Sequence, residues 1–187
     1  MKELTKKIQK EIGVAADGVI GPITLAAIAK RLGISGGSLV EIALGEVGIL
    51  ETSKNQGAGI EKYWSATTYP DGYKNREPYC AAFVCWCVRQ AGLFSAHERP
   101  KTARAFGFEE WAKENGLKLV LRPSEVKAGD IVVFTFSHVG IATSDSDKSG
   151  NFTAVEGNTD AAGSREGGGV WKKTRNVSAV RSTVNLG

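Results

Sequence analysis

A chain of 187 residues, 42% hydrophobic and 24% charged, is long enough for one buried core, or for one core and a small module, and its composition excludes disorder along the whole length. The net charge of +4 suits an anionic partner such as a cell wall, a nucleic acid or a membrane surface. No run of Lys or Arg exceeds two and no aromatic–basic stripe is present, so nucleic acid is not the expected partner. No stretch approaches the roughly 20 apolar residues that span a bilayer, so stable membrane insertion is not expected either.

The chain opens on a charged amphipathic segment, residues 1–11, unlike the apolar core of a signal peptide. This predicts synthesis in a cytoplasm, with any exit helped by another protein. Leu4, Ile8 and Ile12 repeat at helical spacing. A turn over residues 16–22 and a second helix over 23–32 follow, with Pro22 near its first position and Gly33 past its end. Residues 1–34 therefore read as a small helical module, and 35–38, Ser-Gly-Gly-Ser, as a linker. The main domain spans 39–187. It begins with a helix over 39–50 whose apolar face carries Leu39, Ile42, Ala43 and Val47. Residues 51–78 read as loop-rich, anchored by Tyr63 and Trp64. The most apolar helix runs over 80–90, closed by Gly92, and another over 106–115, stopped by Gly116. Short strands are predicted at 117–120, 130–136, 139–143, 152–155, 169–172 and 180–184. Helices first and strands afterwards imply an α+β domain with an antiparallel sheet.

Three cysteines, Cys80, Cys85 and Cys87, share one helix. Cys80 and Cys87 would lie roughly 10 Å apart along its axis, too far for a disulfide. Cys85 and Cys87 point to nearly opposite faces, which disfavours a shared zinc. Buried inert cysteines are common, and Cys85 and Cys87 read that way. Cys80 stands at the helix start, where the positive end of the helix dipole favours a thiolate nucleophile. His138 sits at the start of the second arm of an apolar hairpin, where a general base facing that thiol is expected. His97 lies among polar loop residues and reads as solvated. A group to orient the imidazole is also required. Glu156, at the end of the strand over 152–155, is the candidate, and Asn158 is an alternative on the same side if the strand continues.

Pro78-Tyr79-Cys80-Ala81-Ala82-Phe83 with Ala91-Gly92, then Gly129-Asp130-Ile131-Val132-Val133-Phe134 with Ser137-His138-Val139-Gly140-Ile141, then Glu156-Gly157-Asn158-Thr159, resemble three motifs of CHAP domains, the cysteine, histidine-dependent amidohydrolases/peptidases. Glu46-Val47-Gly48, Glu51 and Asn55-Gln56-Gly57 resemble the segment leading into such domains. The likeness covers residues 39–184. It implies a papain-like fold, cleavage of a peptidoglycan amide, Cys80 as nucleophile, His138 as base, Glu156 as orienter and Asn158 as a fourth member. The backbone N–H of Cys80 would serve the oxyanion. Some members bind calcium through an Asp-rich loop before the Cys. Residues 69–77 carry one Asp and two cations in its place, so no metal and no cofactor are expected. Asp17-Gly18-Val19-Ile20-Gly21-Pro22 with Thr24 and Ala27-Ile28 resembles the core of the peptidoglycan-binding-like module of lytic enzymes. Together the two likenesses imply a monomeric phage endolysin, made in the host cytoplasm and acting on the wall after holin-type release. The alternatives are a secreted interbacterial amidase toxin and a non-catalytic wall-binding protein on the same fold.

Overall fold

The protein is described here by a computed structural model, which covers residues 2–13, 16, 18, 28, 38–164 and 166–186. It divides into two compact units, Met1–Ser38 and Leu39–Gly187. In the first unit, α1 (Lys2–Glu11) carries Leu4 and Ile8 on an exposed face. Its Gln9 is buried and accepts a 2.8 Å hydrogen bond from the Gly18 amide. The second helix expected at 23–32, most of the 35–38 linker and most of the module's motif lie outside the described residues.

The second unit follows the α+β order: α2 (Leu39–Gly45), α3 (Ala58–Trp64), α4 (Cys80–Ala91) and α5 (Gly107–Glu114), then β1 (Lys118–Leu121), β2 (Ile131–Phe134), β3 (His138–Ala142), β4 (Asn151–Thr159), β5 (Gly169–Asn176) and β6 (Val180–Asn185). The six strands form one sheet in the order β1-β6-β2-β3-β4-β5, every neighbouring pair antiparallel. Alternation splits the sheet's side chains between two cores. Ile131, Val133, Val139, Ile141 and Val155 join the helices in the larger one. Val132, Phe134, Ala142, Phe152 and Ala154 form the smaller one. Helix α4 is buried along nearly its whole length and packs on β3 and β4. It ends on left-handed Gly92, whose amide caps the Arg89 carbonyl.

Three local expectations change. The first helix of this unit stops at Gly45, five residues early, because the chain turns through Gly48 at φ 93° and Leu50 then bridges Gly169 at the sheet edge. Val47 is consequently exposed rather than on a buried face. The loop-rich segment contains α3, where Ile60, Tyr63 and Trp64 give one buried stripe at helical spacing. Strand β4 does not end before Glu156 but continues to Thr159. A carboxylate inside a strand is tolerated there because two cationic side chains meet it, as described next.

Candidate active site

Cys80 is the first residue of α4, with Tyr79 at the N-cap. Its side chain lies where the free N–H groups of the first turn gather. The residue is 7% exposed, whereas Cys85 and Cys87 are wholly buried. Burial pushes both inner thiols well up, and the Cys85 thiol donates to the Thr102 carbonyl at 3.3 Å. Among the three, only Cys80 has access to solvent.

His138, the candidate base, is the first residue of β3. Ser137, at φ 60°, makes the tight turn from β2 that presents it. The imidazole is fully buried and stacks with Phe134 and Phe136, centroids 6.1 and 5.9 Å away. Its Nε2 is 3.0 Å from Glu156 Oε2. Charge and packing hold the ring. Burial on its own would lower the imidazole's pKa. The influence of Cys80, then of Glu156, outweighs it and pushes the value up to about 9. The cationic ring is thus favoured at neutral pH.

Glu156 lies in β4 on the same face as Phe152 and Ala154 and is fully buried. In the β3–β4 register, Ile141 faces Val155, so Gly140 faces Glu156. A Cβ on Gly140 would stand 2.7 Å from Glu156 Cγ. Glycine there lets the carboxylate lie across β3 and reach the ring two residues away. Burial pushes the Glu156 carboxyl up, but Arg175 and His138 overturn that and hold it below the usual carboxylate range. Arg175 of β5 donates from Nε to Oε1 at 2.8 Å and from Nη2 to Oε2 at 2.6 Å. No local motif marks this residue. It lies three residues beyond the strand expected at 169–172, and only the β4–β5 pairing brings it to Glu156.

Asn158 is placed differently from the imidazole's orienter. It adopts φ 59° at an irregularity in the β4–β5 register, which turns it out of simple alternation. Its Oδ1 accepts from the Tyr79 amide at 3.1 Å, and its Nδ2 donates to Asn55 Oδ1 at 2.9 Å and to the Gly167 carbonyl at 3.3 Å. Asn55, also left-handed at φ 55°, donates from Nδ2 to the Arg76 carbonyl at 2.7 Å and from its amide to Glu51 Oε2 at 2.7 Å. Two buried asparagines therefore tie Tyr79, the residue before Cys80, to β4. Gly157 next door packs flat on Phe83 of α4, where a Cβ would meet Phe83 Cβ at 2.8 Å. His97 is exposed.

The domain thus carries a thiol at a helix start, an imidazole at a strand start and, 3.0 Å from that imidazole, a buried carboxylate. Residues 68–158 match the CHAP domain. The matched segment is just under half of the chain and contains Cys80, His138, Glu156 and Asn158. The α+β order and the antiparallel sheet agree with the papain-like architecture of a CHAP domain. No curated protein matches the chain. Among the described residues, no group of three or more His, Cys, Asp or Glu side chains is placed to hold a metal ion, and no helix is long and apolar enough to cross a membrane.

Proposed function

We propose that this protein hydrolyses an amide bond of bacterial peptidoglycan, with Cys80 as nucleophile, His138 as acid–base and Glu156 as orienter. The observation that carries the reading is a helix-start thiol, Cys80, and a buried His138–Glu156 pair at 3.0 Å within one CHAP match. The Cys80 thiol gives its proton to His138, and the thiolate attacks the amide carbonyl carbon. The oxyanion gathers negative charge beside the first N–H groups of α4, including that of Cys80. Collapse of the tetrahedral intermediate breaks the C–N bond, and the imidazolium protonates the departing amine. A thioester remains. Water then gives a proton to His138 as its oxygen attacks the thioester. Release of the carboxylic acid returns the proton to sulfur. Glu156 carries the negative charge that compensates the imidazolium at both stages.

The small front unit, by its likeness to wall-binding modules, adds a tether to the polymer, and the pairing suits an endolysin released to the wall. The test is incubation of purified full-length protein with isolated sacculi, following turbidity and identifying new termini by mass spectrometry. Loss of turbidity with new amine and carboxyl termini is expected. Intact sacculi, or cleavage that survives Cys80→Ala, would refute the proposal.

A further inference from the structure

A buried carboxylate needs its charge compensated at all times. His138 cannot do this alone, because in the reaction above its ring alternates between neutral and cationic. Arg175 supplies a charge that does not alternate. It lies on β5, outside the segment that matches the family. Its fork takes both Glu156 oxygens and so fixes the plane of the carboxylate. Oε2, which accepts from Arg175, is also the atom 3.0 Å from His138. The guanidinium is itself confined. Its carbon is 5.3 Å from the Phe134 and Phe136 ring centroids, and Nη2 donates to the Gly163 carbonyl at 3.2 Å. These are the same two rings on which His138 stacks. Base and arginine are thus aligned by one aromatic platform and joined by one carboxylate. The charged groups that act on this assembly are Cys80 of α4, His138 of β3, Arg175 of β5 and Asp160 of the β4–β5 loop.

We propose that Arg175 is a positioning residue of the thiol–imidazole site: it holds the Glu156 carboxylate charged and in one plane, so that Glu156 orients His138 in both of its protonation states. The proposal rests on Cys80 and His138 being the reactive pair. It does not depend on which substrate they cleave.

Two measurements on full-length protein test it together. The first is the rate of Cys80 alkylation by iodoacetamide at neutral pH, which needs the thiol–imidazole pair and no wall substrate. Arg175→Gln should lower it by about tenfold or more. The second is the pH titration of the His138 ring by NMR in a Cys80→Ala background, with exposed His97 as internal reference. Ionisation of Glu156 should appear there as an acidic inflection, and Arg175→Gln should move it up by about one pH unit or more. Arg175→Lys keeps a charge but not the fork. It should leave the inflection near its original place and restore only part of the alkylation rate, and it serves alone if Arg175→Gln does not fold. A slower alkylation with an unmoved inflection would mean that Arg175 is only a strut for the β4–β5 loop, and the proposal would fall. So it would if Arg175→Lys alkylated at the full rate. Intact sacculi with the wild-type protein, together with the expected shifts, would refute the peptidoglycan reading and leave Arg175 in its role.

Discussion

The domain builds the same device twice. Glu109 of α5 is buried and takes the Arg181 fork at 2.8 and 3.2 Å, with the Ser182 hydroxyl donating at 2.7 Å. Arg181 lies over the Phe106 ring at 4.5 Å. Glu156 takes the Arg175 fork, with two aromatic rings beneath that arginine. A carboxylate, an arginine and an aromatic platform are therefore not what marks a reactive centre. The third partner is. A serine hydroxyl completes Glu109 and closes it. At Glu156 the third partner is a titratable ring, His138, on which the charge of Cys80 also acts. One cluster joins α5 to β6, and the other can move a proton.

The sharpest break of this comparison is Cys80→Ala, which should reduce sacculus cleavage by at least about 10³-fold, since no neighbouring group can form the acyl-enzyme. Cys85→Ala and Cys87→Ala, both remote from the base, should stay active with some loss of stability. Next comes the pH dependence. Imidazolium is the form that donates to the leaving amine, and it is lost as pH rises through the raised His138 value of about 9. Turnover should therefore hold up to about that pH and then fall about tenfold per unit. A decline centred near the ordinary histidine value of 6.5 would show that Cys80 and Glu156 do not hold the charged ring.

Glu156→Gln should cost about tenfold or more in kcat, because an amide cannot compensate the imidazolium. Glu109→Gln should leave kcat within about twofold of the wild type on the same substrate. Equal losses in the two variants would erase the distinction between the clusters. Asn158→Ala should lower both rate and stability, the latter by about 1–3 kcal/mol, since it leaves the Tyr79 amide and Asn55 without their buried partner. Loss of rate with unchanged melting would assign Asn158 to the imidazole after all. The smallest effect is expected for Ser182→Ala. It should remove about 1 kcal/mol of stability, seen as a Tm about 2–4 °C lower, with activity retained.

Local signals reveal a residue when its role is set by its neighbours in sequence. Cys80 was legible because Pro78 and the apolar run after it mark a helix start, and His138 because two apolar runs flank it as a hairpin. Glu156 was legible as a residue but not in its setting. Alone, a charge after Phe152-Thr153-Ala154-Val155 reads as a strand leaving the core, and only the cations of β3 and β5 allow the strand to continue. Asn158 shares the side of Glu156 only if the strand continues in regular alternation. A left-handed residue in a bulge breaks that period and sends its amide to the helix start.

What the sequence determined by itself was the α+β order, the helix-start thiol and the hairpin histidine. Each rests on periodicity or capping within about a dozen residues, a range over which the backbone's own geometry dictates the outcome. The tertiary structure decided which charges meet. Arg175 is 19 residues from Glu156, and Asn55 is 103 from Asn158. Those partnerships depend on strand register and on how closely α4 lies on Gly157. Register and close approach come from side chains of many elements packing at once, so no single stretch of the chain encodes them.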